Sequence, residues 1–301
     1  MSDTQMTENR LIDISESAAR ISIRRRQLLI EHGDEESTLP LDEISAVSIS
    51  NPAVTITQPA LTALAESCVP LIVCDSRHTP SGLMLPVVGH TTQTEKFAAQ
   101  ASASLPTKKR LWQSVVKGKI EAQAKVLKQL RGDDFGLGKL AGKVKSGDEN
   151  NIEGYAARLY WPEVFDDPSF TRDRDLPDQN RFLNYGYAVL RAITGRAICS
   201  VGLHPSLGLH HHNRYDSFCL ASDLMEPFRP IIDRAVALLV DEFGPKSEFT
   251  TEVKTKLLDS LTGRVKMKGE LRTIFESTTR LASSLANVFM GTAKSLIIPE
   301  L

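Results

Sequence analysis

The sequence predicts an α+β protein in which a small β-rich domain, residues 1–90, precedes a larger, mainly α-helical domain, residues 91–301. Three observations carry this: apolar residues recur at every second position up to about residue 90, the spacing lengthens to that of a helix from about Thr94, and turn-formers punctuate the runs. Ile21 and Ile23 alternate with Arg20, Ser22 and Arg24, Val47 and Ile49 flank Ser48, and Val54 and Ile56 alternate with Thr55 and Thr57, as in half-buried strands. Pro70 to Cys74 is a continuous apolar run closed by Asp75, and Thr79-Pro80-Ser81-Gly82 gives the next turn. Leu111, Val115, Ile120, Ala124, Leu127 and Leu130 then follow helical spacing, as do Leu238, Leu239 and Phe243. Two breaks read as loops: 132–147, with five glycines, and 162–178, rich in Asp, Arg and Pro. No repeat of 20 to 50 residues is present.

The composition is that of an ordinary globular protein: 301 residues, 41% hydrophobic and 24% charged. Apolar runs such as Leu71 to Cys74 and Ala235 to Val240 fall far short of the roughly 20 residues that cross a bilayer. The first ten residues are polar, unlike a secretory signal, so a cytoplasmic protein without membrane contact is expected. Cys68, Cys74, Cys199 and Cys219 form no C-x-x-C pair and read as reduced core residues. The net charge of −1 conceals an uneven distribution. Between Lys108 and Lys145 eleven Lys and Arg face three acids, an excess of eight positive charges.

Three segments offer hard metal ligands: Asn151 to Gly154, Leu209 to Asn213, and Ser222 to Pro227. Glu153 precedes Ala156, Ala157 and Tyr160 at helical spacing, which places it at a helix start on a core-facing side. There it serves either as a ligand or as a capping, dipole-compensating acid. Asp223 and Glu226 are three apart; on one helix their charges repel unless a cation lies beside them, and Arg229 could equally pair with Glu226. Consecutive helical residues diverge by about 100°, so at most one or two of His210, His211 and His212 can face one ion. H-E-x-x-H, P-loop, C-x-x-C and G-x-S-x-G patterns are absent, which removes the main support for zinc protease, nucleotide hydrolase, zinc ribbon and serine hydrolase.

The run Gly202 to His211 (GLHPSLGLHH) followed by Leu220 to Pro230 (LASDLMEPFRP) closely resembles the signature of the CRISPR-associated adaptation endonuclease and integrase, the Cas-one family. Glu153-Gly154 with Ala156, Ala157 and Tyr160-Trp161, and the stretch Asn184 to Leu190, match as well, in the family's order, over about residues 10–240. The likeness is greatest to the short form that accompanies single-protein effector nucleases. The resemblance implies a β-sandwich-like N-terminal domain that dimerises and an all-α catalytic domain that holds a divalent metal. It maps the metal-ligating, catalytic residues onto Glu153, His211 and Glu226, with Asp223 as an auxiliary acid. In the motif G-x-x-P-x-x-G-x-x-H, counting from Gly202 through Pro205 and Gly208 reaches His211.

Oxygen ligands with one imidazole suit Mg²⁺ or Mn²⁺ better than zinc. The resemblance further implies attack by the 3′-hydroxyl of an incoming double-stranded DNA fragment at a CRISPR repeat boundary, with water as the nucleophile in nuclease action. It implies a homodimer, a small adaptation partner protein bridging two such dimers, and the effector nuclease as a further contact. Lys139, Lys143 and Lys145, which lead toward Glu153 in sequence, are the candidate DNA-binding lysines; the bland alternative is a solvated surface. The competing functional readings are a DNA-binding scaffold without chemistry and, more weakly, a hydrolase of small phosphate esters. The stretch beyond about residue 242 matches no motif.

Overall fold

The structure is a computed structural model that describes residues 10–75 and 80–301. The chain separates into two compact units, divided between Gly89 and His90. In the first, β1 (Arg10–Ile14), β2 (Arg20–Arg24), β3 (Gln27–His32), β4 (Glu35–Pro40), β5 (Ile44–Ile49), β6 (Thr55–Ile56), α1 (Gln58–Glu66), β7 (Leu71–Cys74) and β8 (Pro80–Met84) follow in order. The strands form two four-stranded sheets, β1-β5-β7-β8 and β4-β3-β2-β6. The β2–β3 hairpin turns through Arg25 and Arg26, both at positive φ, as a two-residue connection with the right twist requires. Ile14, Ile21, Leu28, Ile30, Val47 and Leu71 from both sheets meet in one core. Helix α1 departs from the period-two expectation: Pro59 lies in its first turn, and Ala60 and Leu64, four apart, enter the same core. The turn signal at Thr79 lies outside the described residues, although Pro80 to Gly82 opens β8.

The second unit contains α2 (Gln93–Ala101), α3 (Leu105–Arg131), α4 (Leu137–Ala141), α5 (Ile152–Phe165), α6 (Asn180–Ser200), α7 (Cys219–Leu224), α8 (Arg229–Phe243), α9 (Thr251–Asp259), β9 (Arg264–Met267), β10 (Glu270–Thr273) and α10 (Ile274–Phe289). Helix α3 is its central rib. Ser104 caps the start by accepting the Thr107 N–H, Pro106 fits the first turn, and Gly132 ends the helix in the left-handed conformation at φ 82°. Its sides pack on α4, α5, α8 and the 3₁₀ turn Glu226–Phe228. At Gly118 a Cβ would come 2.3 Å from Ile298 Cγ2, so a bare backbone lets the C-terminal segment lie against the rib.

The segment 132–147, expected as a loop, holds α4, because Leu137, Leu140, Ala141 and Val144 recur at helical spacing and are buried. The second expected loop begins four residues later than Pro162, since α5 runs through that proline to Phe165. The β9–β10 hairpin, turning through Lys268 and Gly269 at positive φ, departs from an all-α second domain. Glu300 adds an antiparallel bridge to Lys266 of β9. Cys199 and Cys219 are buried, as expected of core residues, whereas Cys68 and Cys74 are only half-buried. Among the described residues no helix is long and apolar enough to cross a membrane.

Candidate functional site

The site is assembled on α3. Its buried stripe runs Leu111, Val115, Lys119, Ala122, Val126, so one lysine occupies a position otherwise kept for core residues. A buried ammonium needs anionic partners, since desolvation alone would strip its proton. Two glutamates from separate elements supply them: Lys119 Nζ lies 2.5 Å from Glu153 Oε1 on α5 and 2.6 Å from Glu226 Oε2 in the 3₁₀ turn. The Lys119 and Glu226 side chains are only 11% and 5% exposed, and Glu153 24%.

Glu153 reaches Lys119 because other residues cap its helix. Asn151, at φ 50°, accepts the Gly154 N–H, while Asp148 accepts the N–H groups of Ile152 and Glu153 at 2.9 Å each. The capping reading of Glu153 is thus filled by neighbours, and its carboxylate is left for the site. Glu226 does pair with Arg229, at 2.7 Å, but inside the protein rather than on a surface. Burial by itself would raise the Glu226 carboxyl; the Arg229 and Lys119 cations outweigh it and bring it down to about 2. Lys119 is likewise held above its usual value, its two carboxylates overcoming desolvation. Behind this pair, Arg229 stacks 4.2 Å from the Tyr187 ring centroid, and Asp233 accepts hydrogen bonds from the Tyr160 and Tyr187 hydroxyls. Burial pushes Asp233 up to about 6.

The histidines lie in an irregular loop, so the helical divergence of 100° does not apply and backbone contacts sort them instead. His210 stacks on Trp112, two turns before Lys119 on α3, with centroids 4.4 Å apart and planes at 2°. His212 Nδ1 bonds the His210 carbonyl. His211 presents Nδ1 to Asp223 Oδ1 at 2.6 Å, and its ring stands perpendicular to that of Trp112 with centroids 5.7 Å apart. Asp223 is fully buried, and its oxygens also take the backbone N–H groups of Leu209, His210 and His211 at 2.6, 3.1 and 3.2 Å. The auxiliary acid therefore has protein donors on both oxygens and acts as the staple of the histidine loop. Its bond to the imidazole, followed by the fields of Glu226 and Glu153, keeps His211 protonated to higher pH than usual. Gly208 is required here: a Cβ would sit 2.4 Å from the His211 carbonyl oxygen and 3.0 Å from Asp223 Oδ2.

Asp223 and Glu226 do not share a helical face. Pro227 disfavours continued α geometry at the residue before it, α7 stops at Leu224, and Glu226 opens a 3₁₀ turn aimed at Lys119. Among the described residues no three His, Cys, Asp or Glu side chains stand close enough, as placed, to hold a metal. Lys139, Lys143 and Lys145 are all exposed. Other cations of the basic stretch have protein partners: Lys109 pairs with Glu149 at 3.0 Å, and Arg131 donates to the Glu163 and Val164 carbonyls that end α5. Lys119, which the sequence offers only as one of eleven basic residues between Lys108 and Lys145, is the member of this cluster that sequence reasoning missed; its place on an apolar stripe was the available signal.

Comparison with known proteins gives this arrangement a family. A casposase bound to integration product superposes with a TM-score of 0.76 at 22% identity, covering 97% of this chain and 94% of that one. A chain of a Cas6-RT-Cas1--Cas2 complex gives 0.73 at 21% identity, covering 98% of this chain and 36% of that longer one. A CRISPR-associated endonuclease Cas1 from Neisseria meningitidis serogroup C (strain 8013) is 37% identical over 290 residues, 95% of this chain and 94% of the relative. Residues 12–268 match the family model described as CRISPR associated protein Cas1, and the chain belongs to the Cas1 family.

The Glu226 clamp has a measurable pH signature. Its folded value of about 2 lies below the usual 4.5, so its ionised form adds stability that is complete above pH 4.5 and is lost as pH falls toward 2. Between pH 4.5 and 3 the metal-free wild type should lose up to about 1.4 kcal/mol per pH unit more than Glu226→Gln in urea unfolding. Parallel acid limbs would deny the clamp.

Proposed function

We propose that this protein is the metal-dependent DNA endonuclease and integrase of CRISPR adaptation, acting in the cytoplasm on double-stranded DNA. The carrying observation is the convergence of Glu153 and Glu226 on one buried cation position. A scaffold that only binds DNA has no use for a buried and a half-buried carboxylate brought together on one lysine. The name of the Neisseria relative and the casposase bound to integration product support the reading.

Glu153, His211 and Glu226 would hold Mg²⁺ or Mn²⁺. The fit is chemical: two carboxylates are hard donors suited to either ion, one imidazole is a borderline donor, and the buried Glu226 Oε2 already holds a cation, the Lys119 ammonium at 2.6 Å. When bound, such an ion polarises a phosphate and stabilises the charge of an in-line displacement. Arg229 keeps Glu226 ionised and oriented. Asp223 fixes the His211 ring with a proton on Nδ1, leaving Nε2 as the ligating nitrogen, the usual job of a carboxylate behind a metal-binding histidine. In the reaction, a 3′-hydroxyl of the fragment joins phosphorus at the repeat boundary and the former 3′-oxygen leaves with a proton; water in its place gives hydrolysis. A small Cas2-like partner belongs to the same proposal, supported by the Cas6-RT-Cas1--Cas2 assembly.

Glu153→Ala, His211→Ala and Glu226→Ala should each lower Mn²⁺-dependent insertion of a fragment into an array plasmid by about 100-fold or more, and EDTA should abolish it. Asp223→Asn should lose less and recover partly in excess Mn²⁺. Activity in His211→Ala with loss in His210→Ala would move the ligand by one residue.

Lys139, Lys143 and Lys145 are proposed to hold phosphates of the DNA path. Changing all three to Gln should make the log–log salt dependence of duplex binding shallower by about two to three units, at about −0.9 per phosphate, for every sequence alike. An unchanged slope returns them to plain surface.

Dimerisation through the first unit completes the proposal, since Val87 and Val88 stand 88% and 77% exposed at its end. Light scattering should give about twice the chain mass of 33.2 kDa at micromolar concentration. A monomer there removes the dimer.

A further inference from the structure

Lys119 occupies the place between two carboxylates where a ligated cation would lie. Its Nζ is 2.5 Å from Glu153 Oε1 and 2.6 Å from Glu226 Oε2, distances that leave no room for a second cation between them. The three charges come from three elements, α3, α5 and the turn after α7, so the ammonium ties those elements together as well as neutralising them. The two glutamates are not equally held. Glu226 keeps Arg229 as a second partner at 2.7 Å, whereas among the described residues the Glu153 carboxylate pairs with Lys119 alone. Removal of the ammonium therefore exposes Glu153 most. The Lys119 stem is unbranched and flexible, so its ammonium can withdraw without moving α3.

We propose that Lys119 is a resident countercation that a divalent metal must displace, so that it stabilises the metal-free enzyme and lowers its affinity for metal. The proposal rests on the metal-binding reading above. Two like-charged carboxylates in a nearly dry site repel each other unless a cation lies between them, and either the lysine or the metal fills that need. The site thus exchanges one cation for another. An empty pair of carboxylates never has to persist, and the metal's apparent affinity is reduced by the strength of the ammonium's hold. Once displaced, the ammonium is no longer neutralised by Glu153 and remains tethered next to the place where a phosphate is to be bound.

The test combines a variant with a readout on the unaltered chain. In calorimetric titration with Mn²⁺ alone, Lys119→Met should bind about tenfold or more tightly than wild type, while its metal-free melting temperature falls and Mn²⁺ restores it. On the wild type, reductive methylation followed by mass spectrometry should show Lys119 several-fold more reactive with saturating Mn²⁺ than in EDTA, with Lys139 and Lys143 unchanged. Equal or weaker Mn²⁺ binding by a folded Lys119→Met, or constant Lys119 reactivity while Mn²⁺ binds stoichiometrically, overturns the displacement and leaves the metal site standing. Should Lys119→Met fail to fold, the methylation result decides alone. Absence of Mn²⁺ binding to both proteins overturns the displacement together with the metal reading beneath it.

Discussion

The buried carboxylate of Glu226 is the constraint around which the second unit is arranged. An ionised acid that is only 5% exposed is stable only if cations meet it at close range, and Lys119 and Arg229 do so from opposite directions along the chain. Those two requirements fix much else. Lys119 must lie on the inward stripe of α3, which sets the rotation of that helix, and Arg229 must open α8 directly after the turn that carries Glu226. Arg229, half-buried, stacks in turn on Tyr187, and Tyr187 shares Asp233 with Tyr160, so the ionic pairing extends into α5, α6 and α8.

A buried ionic chain of this kind is a weak source of net stability and a strong source of specificity. Apolar residues of similar volume could pack as well or better, whereas loss of one partner leaves an uncompensated charge. The retention of so many charges in one place is therefore better understood through chemistry than through packing. The histidine loop follows the same logic with a different currency of contacts: Asp223 gathers three backbone N–H groups and one imidazole, and Trp112 closes the other side. A loop without regular structure thereby holds one ring in a defined place.

Much of this was legible in the sequence. The change from period two to helical spacing near Thr94 marks the passage into the helical unit, the strands around Ile21 and Val47 fall where alternation places them, and β7 falls on the continuous apolar run Leu71 to Cys74. What escaped did so for physical reasons. Helix α1 is nine residues long and carries only two buried side chains, too few for a period to show. Helix α4 hides among glycines that serve as its boundaries. The β9–β10 hairpin is anchored by non-local contacts, among them the bridge from Glu300. In the site, Glu153, His211 and Glu226 were reached through the family signature, since spacing alone left capping and surface pairing open for the acids. Lys119 could not be singled out by type in a stretch with eleven basic residues; only its register with Leu111 and Val115 sets it apart.

The scatter of the site along the chain has a consequence for when chemistry can begin. Lys119, Glu153, His211 and Glu226 are spread over more than a hundred residues, and each depends on contacts with segments distant in sequence. Closing such long loops is entropically costly and tends to come late in folding. A ribosome-bound chain that has not yet released Arg229 lacks the cation that keeps Glu226 ionised and in place. No early-folding fragment therefore contains Lys119, Glu153, His211 and Glu226 together, and the arrangement exists only once most of the second unit has been made.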